Sequence, residues 1–510
     1  MYSVVSCAIV HGIESMLVRA ETDLSSGLPM FEMVGFLGSE VKEARERVRT
    51  ALGNCGYQLP VKRITVNLSP ANIRKSGSGF DLPVAVSVLA AMEVIRRADL
   101  SDIVMIGELG LNGRIYPVSG VLPMILAACD CGKKLCIVAK ENYHEAALVD
   151  EMQVVGVSDL REVVTYINEG VKPPVALETS AEEVEESDAV DFCYINGQKV
   201  LRRACEVAAA GLHNILMIGA PGSGKTMAAR CIPTILPPLN REEQMELSKI
   251  YSVCGKFEER SRLMDRRPFR SPHHTISQVG LVGGGRAIRP GEVSLAHGGV
   301  LFLDELTEFR RDVMEALRQP MEDRQVSIVR ANGSFVYPAQ FMLVAAMNPC
   351  KCGYFPDMTR CQCTPAQLDR YVFRISQPML DRIDICVEAP RLDFADIRAV
   401  RPNESSASIR ERVLAALEIQ KSRFDGTDIM YNSRIPAKDI DHYCHLGTKE
   451  EKYMEDAYGR LSLTARTFHK LLRVARTIAD LDGSEVIRTR HLTESLCYRC
   501  IDKTEWERSL

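Results

Sequence analysis

The 510-residue sequence contains no apolar stretch near the ~20 residues that a membrane-spanning helix requires, which argues against an integral helical membrane protein. It also has little net charge: 63 Lys and Arg stand against 67 Asp and Glu, leaving −4. No global pull toward nucleic acid or anionic lipid follows, so any DNA-binding surface must be a local patch. The opening residues, MYSVVSCAIV, lack the basic start and cleavage site of a secretory signal, and a cytoplasmic location is expected. Cysteine is plentiful, at 17 residues, yet many stand singly in apolar segments, as Cys205, Cys231 and Cys386 do. That is the pattern of buried reduced thiols in a cytosolic chain. A chain of 510 residues is too long for one core, so two to four domains are expected.

One stretch organises the rest: Gly219-Ala220-Pro221-Gly222-Ser223-Gly224-Lys225-Thr226. It follows the apolar run Ile215–Ile218, read as a buried strand, and precedes a predicted helix. Its glycines let several backbone N–H groups converge on one anion, and the helix N-terminus adds partial positive charge. Lys225 can reach the β/γ-phosphates of ATP and Thr226 can ligate Mg²⁺. A second apolar run, Gly299–Leu303, ends in Asp304-Glu305. Asp304 would hold Mg²⁺ through its water shell, and Glu305 would orient and deprotonate the attacking water. A third run, Phe341–Met347, ends in Asn348, which could sense the γ-phosphate or position the water. These three strand ends together resemble Walker A, Walker B and sensor 1 of the AAA+ family.

Residues 1–168 read as a mixed α/β domain. Strands are expected at Val4–Val10, Met16–Thr22, Arg63–Leu68 and Lys134–Ala139, and helices at Glu40–Leu52, Asp81–Ile95 and Gly120–Cys131. Ile103–Pro117 reads as a hairpin turning at Asn112-Gly113. The run Gly107 to Val118, followed by Gly120-Val121-Leu122, resembles the Lon-type protease domain, an S5 domain 2-like fold. Lon-type catalysis needs a serine and a lysine. The serine would fall near Gly79–Pro83 and the lysine near Leu122-Pro123, and neither place carries a competent residue. A non-catalytic relative of the protease fold is expected. Cys129, Cys131 and Cys136, and the pair Cys497 and Cys500, have no second pair nearby and are read as packing residues. Residues 169–192 read as a solvated linker: Pro173-Pro174 breaks the preceding helix, and an acidic run from Glu178 to Asp188 follows.

The ATPase core is expected over 193–390. The segment Ile195–Gln198, ahead of a helix from Lys199, would cover the adenine by analogy with AAA+ proteins. Between Arg266-Arg267 and the Walker B strand lies a glycine-rich segment with Arg270, Arg286 and Arg289. Between Walker B and sensor 1, Val326–Val329 and Phe335–Tyr337 flank Asn332-Gly333, read as a hairpin turn. In AAA+ terms these resemble a helix-2 insert and a pre-sensor-1 hairpin, elements that the resemblance points into the pore of a ring. Arg286, Arg289 and Arg330 are then candidates for gripping a DNA backbone; the other reading is ordinary surface arginines. Directly after sensor 1, Cys350-x-Cys352 and Cys361-x-Cys363 can place four thiolates around Zn²⁺, with free thiols or a redox pair as the alternatives.

Residues 391–510 read as a helical lid, with helices at Ser408–Phe424, Glu450–Leu461, Thr467–Leu481 and Thr489–Ile501, and Ser408 capping the first. Arg382 resembles the arginine finger of this branch and would reach a neighbouring subunit's γ-phosphate; Arg466 resembles sensor 2 and would contact nucleotide from the lid. The whole chain resembles the ComM/YifB-type Mg-chelatase-like AAA+ ATPases, most specifically in Lys62–Leu68, Phe80–Pro83, Phe269–His274, Asn348–Cys350 and Ala475–Leu481. The fold implied is an AAA+ P-loop core with a helical lid, preceded by a Lon-protease-like mixed α/β domain. The resemblance implies a homo-hexamer that binds single-stranded or branched DNA and promotes branch migration of incoming DNA. Two other functions stay in play: a chelatase-like motor remodelling a protein partner, and an ATP-dependent protease, disfavoured by the missing dyad. The pair His273-His274, in a proline-bordered loop, is read as loop structure or as part of the insert's contacts.

Overall fold

In a computed structural model the described residues are 1–97, 99–174, 190–257, 262–285, 288–330, 333–391 and 403–499. Most of the acidic linker, Arg286, Asn332 and Cys500 fall outside them.

The first domain is built on strands β1 (Tyr2–His11), β2 (Glu14–Ser25), β3 (Met30–Val34), β4 (Arg63–Ser69), β5 (Ile103–Ile106), β6 (Glu108–Leu109), β7 (Ile115–Tyr116), β8 (Leu135–Ala139) and β9 (Gln153–Val157). Seven of these form one mixed sheet in the order β3-β4-β2-β1-β5-β8-β9. The helix Ser39–Asn54 buries Val41, Ala44, Val48 and Leu52, the stripe that its period of 3.6 sets out. The helix Asp81–Ala91 is buried almost all round and lies against β1 and β2, which shields one face of the sheet. The hairpin β6–β7 is shorter than the sequence suggests. Its ladder is two residues long, and the chain turns over Gly110–Arg114, with Gly110 N–H bonded to Arg114 C=O at 2.8 Å. Gly113 supplies the positive φ, but Asn112-Gly113 is not by itself the turn.

The second domain carries β10 (Ile215–Gly219), β11 (Phe269–Arg270), β12 (Gly283–Gly284), β13 (Arg289–Pro290), β14 (Val300–Leu303), β15 (Gln325–Arg330), β16 (Gly333–Pro338), β17 (Met342–Met347) and β18 (Ile385–Ala389). A five-stranded sheet runs β11-β14-β17-β10-β18, with every neighbouring pair parallel. β10, β14 and β17 are buried along their whole length, as central strands covered on both faces must be. Cys205 and Cys231 lie in this core with no exposure, and Cys386 with 6%.

Helices Ser406–Arg423, Thr448–Arg460, Ala465–Leu481 and Thr489–Cys497 form the lid. Ser405, not Ser408, caps the first: its side chain accepts from the Ser408 N–H at 3.3 Å. The last helix stops at Cys497, where Tyr498 turns into the core. No helix among the described residues is long and apolar enough to cross a membrane.

The two domains meet along the end of the helix Arg241–Val253. Its Ser252 C=O accepts from Gly120 N–H at 2.9 Å, and its Ser252 hydroxyl donates to the buried carboxylate of Glu145. At another contact, His11 at the end of β1 stacks on Phe335 of β16 with ring centroids 4.5 Å apart.

Candidate active site

The P-loop leaves β10 at Gly219 and enters the helix Lys225–Ile235. Gly219 has no room for a side chain, because a Cβ there would stand 2.3 Å from the Ala389 carbonyl of β18. Gly222 and Gly224 take φ of +78° and +89°, conformations that let the loop curl back on itself. The Lys225 ammonium bends over the loop and donates to the Gly219 and Ala220 carbonyls at 2.6 and 3.0 Å. It also reaches Asn348 Oδ1 at 3.3 Å, so the end of β17 meets the P-loop. Burial holds the Lys225 amine below its usual value, against the pull of Asp304.

The Thr226 hydroxyl donates to Asp304 Oδ2 at 3.0 Å. A hydroxyl at the start of the helix and a carboxylate at the end of β14 thus share one point, the donor set a Mg²⁺–nucleotide complex needs. Glu305 follows with φ +51°, a left-handed conformation that is costly for a non-glycine residue. Its side chain is turned toward the loop after β11, where His274 Nδ1 lies 3.3 Å from Glu305 Oε2. The sequence marks His274 as loop structure or part of the insert's contacts and carries no signal for Glu305 as its partner. Gln198 braces the P-loop as well: its side-chain amide donates to Ser223 C=O at 3.1 Å and Pro390 C=O at 2.6 Å.

The segment before the first core helix is clamped to the lid. Asp191 accepts from Ser406 N–H at 3.0 Å, and Asn403 Nδ2 donates to Asn196 Oδ1 at 2.6 Å.

Arg382 and Arg466 stand elsewhere. Since β10 and β18 are parallel and in register from Ile215↔Ile385 to Gly219↔Ala389, the P-loop lies at one edge of the sheet. Arg382 precedes β18 at the other edge, its carbonyl accepting from Asn214 Nδ2 at 2.9 Å. About 13 Å of strand separate the two edges. Arg382 folds onto Glu322 and the Pro378 carbonyl, and its side chain is 9% exposed. Arg466, in the first turn of Ala465–Leu481, shares Glu322 at 3.5 Å and lies 3.9 Å from Asp381. Within one chain both arginines thus meet at Glu322, beside the sheet edge that Arg382 occupies.

The two inserts do come together. The β12–β13 pair sits beside β15, and the Arg330 guanidinium would be 3.9 Å from a Cβ placed on Gly284. Arg289, paired with Gly284 across β12–β13, and Arg330 are both exposed. Gly333 pairs with Arg330 and so belongs to β16 rather than to the turn. Arg270 is held by Glu292 through two hydrogen bonds, at 2.6 and 2.8 Å, and is structural.

The four cysteines converge. Their sulfurs all lie within 4.8 Å of one another, with Cys350–Cys352 at 3.2 Å, Cys352–Cys361 at 3.5 Å and Cys350–Cys361 at 3.8 Å. A tetrahedral Zn²⁺ with Zn–S of about 2.3 Å has sulfur–sulfur edges of about 3.8 Å, so the set fits. Burial works against ionising Cys352, but the Tyr354 N–H and the neighbouring thiols outweigh it and bring its thiol down to about 6.

Comparison with known proteins gives the family. Family models described as "Magnesium chelatase, subunit ChlI", "Subunit ChlI of Mg-chelatase" and "Magnesium chelatase, subunit ChlI C-terminal" match residues 191–397, 20–142 and 403–499. Competence protein ComM of Haemophilus influenzae is 42% identical over 505 residues, covering 97% of this chain and 98% of that one. The chain belongs to the ComM/YifB family of Mg-chelatase-like AAA+ ATPases. The uncharacterized protein YifB of Escherichia coli is 40% identical over 509 residues, covering 98% of each chain. A shorter match, 25% identical over 166 residues, links 30% of this chain to 21% of the Lon protease of Mycolicibacterium smegmatis. The protein is an ATPase of this family, with an AAA+ core, a helical lid and a Lon-like first domain.

Proposed function

We propose that this ATPase is the subunit of a homo-hexameric ring that moves DNA, driving branch migration when incoming DNA recombines. The observation that carries this reading is the meeting of the two inserts, which brings the exposed Arg289 and Arg330 onto one surface. Such a surface offers a local patch for phosphate binding on a chain with no global charge. Bound ATP–Mg²⁺ would supply the free energy of phosphoryl transfer. Lys225 and the P-loop amides would bind the phosphates, Thr226 and Asp304 would hold the metal, Glu305 would take the proton of the attacking water, and Asn348 would orient it. Arg382, at the far edge of the sheet, would act on a neighbour's nucleotide once it leaves Glu322, with Arg466 beside it.

ATPase rate with single-stranded, duplex and branched DNA tests the reading, alongside unwinding of a branched substrate. A Glu305→Gln chain should bind ATP and lose at least about 10²-fold in turnover. No stimulation by any DNA would sink the proposal. A second reading has its own support: Val329 and Val336, on the same hairpin, are 73% and 44% exposed and would suit a polypeptide. A chelatase-like motor acting on a protein partner would show basal turnover indifferent to DNA.

The first domain we read as non-catalytic. At the positions of a Lon dyad stand Asp81, paired with Arg47 at 2.8 Å, and Leu122, fully buried with its N–H on Glu145. Nearby Ser78 donates to the Glu108 carboxylate and not to the lysine that a Lon-type dyad requires. We read the four-cysteine cluster as a structural Zn²⁺ site; one metal per chain in protein purified without chelator is the expected result.

A further inference from the structure

We propose that the metal in the cysteine cluster shapes the ATP pocket, by holding the Gly353 turn against Pro221 of the P-loop. This rests on the zinc reading of the cluster and adds a role to it. The contacts form a closed circuit. Lys225 of the P-loop touches Asn348. Two residues later Cys350, with no exposed surface, starts the cluster. Gly353 N–H closes a turn onto Cys350 C=O at 3.0 Å, and Phe355 N–H points at the Cys350 sulfur at 3.4 Å. Gly353 then returns to the P-loop so closely that a Cβ on it would stand 2.7 Å from Pro221 Cδ and 3.0 Å from Cγ. Its φ of +83° also belongs to glycine.

The other side of the cluster leads to the Walker B segment. Cys361 and Cys363 run into the helix Pro365–Val372, which starts with a Thr364–Gln367 capping box. Just beyond it, Arg374 donates to Thr307 C=O at 3.2 Å and pairs with Glu308 at 3.0 Å, two and three residues after Glu305. A soft, thiolate-preferring dication of the zinc class would therefore tie three pieces into one unit: the sensor asparagine, the P-loop proline and the segment behind the catalytic glutamate. Without it no cross-link joins Cys352 to Cys361 across the eight residues between them, since all four thiols are free. The Gly353 turn is then free to leave Pro221, and the phosphate cradle loses one wall.

The test uses the full-length protein, with bound metal measured by elemental analysis and affinity by a fluorescent ADP analogue. Chelation should weaken binding at least about tenfold, and added Zn²⁺ should restore it. A Gly353→Ala chain keeps all four thiols and should keep its metal while losing affinity to a similar degree. If no metal is found, the zinc reading itself fails and this proposal falls with it. If metal is present but neither its removal nor G353A moves the affinity, the zinc reading stands and the coupling alone is overturned. Loss on chelation with none in G353A would refute the route through Pro221.

Discussion

His274 Nδ1 lies 3.3 Å from Glu305 Oε2, so the carboxylate that should activate water is engaged by a side chain from the loop ahead of the helix-2 insert. That loop continues into the helix Gln278–Val282 and the β12–β13 pair. A displacement of the insert is thereby in a position to alter what Glu305 touches. Removing the imidazole frees the carboxylate. His274→Ala should raise DNA-independent ATPase severalfold, up to about tenfold, or about 1.4 kcal/mol off the barrier. It should also shrink the ratio of DNA-stimulated to basal rate. An unchanged basal rate together with normal stimulation would show that the contact has no control over turnover.

Arg382 and the P-loop occupy opposite edges of one parallel sheet, so an Arg382 that serves as the proposed arginine finger would act on a neighbouring chain's nucleotide. Arg382→Ala should bind nucleotide normally and lose at least about 10²-fold in turnover, within the range measured for arginine fingers elsewhere. Lys225→Ala should be inactive for a different reason, loss of the phosphate cradle. Mixing the two inactive proteins should recover activity, because a K225A chain still offers its Arg382 to the intact P-loop of an R382A neighbour. Equal inactivity in the mixture, with assembly confirmed by light scattering, would place the arginine's role within its own chain.

The P-loop, Asp304 and Asn348 were legible in the sequence because each sits where a buried apolar strand must stop. Their local chemistry leaves few alternatives. The cysteine cluster was legible too, since close spacing on both sides of a short loop forces the thiols near one another. His274 was not. Its partner is 31 positions away, and only the parallel pairing of β11 with β14 brings the two strand ends side by side. The ion pairs of Arg466 with Glu322 and Asp381 were hidden for the same kind of reason: a helix period shows which face is buried, not which edge of a sheet the helix lies on. β3 was missed because its five residues are all exposed or half-exposed, so no alternation marks them. Gly333 lies in β16 and not in the expected turn because it pairs with Arg330 at a φ of +137°, which glycine tolerates; Asn332 lies outside the described residues.

Arg330 stands exposed at the end of β15, next to the β12–β13 insert. If it contacts a phosphate, Arg330→Ala should weaken DNA binding by a similar factor on every sequence. The slope of log affinity against log salt should fall by about one. ATPase without DNA should be unaffected, since the residue touches none of the nucleotide-binding groups. A salt slope identical to the parent's would assign Arg330 to the plain surface.

Glu145 is the buried carboxylate between the Lon-like domain and the ATPase core, accepting from Leu122 N–H at 3.1 Å and from the Ser252 hydroxyl. Burial pushes its carboxyl above the ordinary glutamate value, and the hydrogen bonds from Ser252, Leu122 and Asn142 offset only part of that. The folded chain therefore keeps a proton that the unfolded chain has already released, across the window from the ordinary value up to the raised one. Within that window stability falls as pH rises, because the folded state binds more protons. Below the window the group is neutral in both states and contributes no pH dependence. Glu145→Gln retains an oxygen for Ser252 and Leu122 and cannot ionise. Its unfolding midpoint relative to the parent should climb as pH is raised from about 4 toward neutrality, as read from denaturant curves at several pH values. Ser252→Ala should accentuate the parent's dependence, since it strips one of the donors that hold the carboxyl down. A gap between E145Q and the parent that narrows with rising pH would mean that the ionised carboxylate strengthens the domain junction instead of straining it.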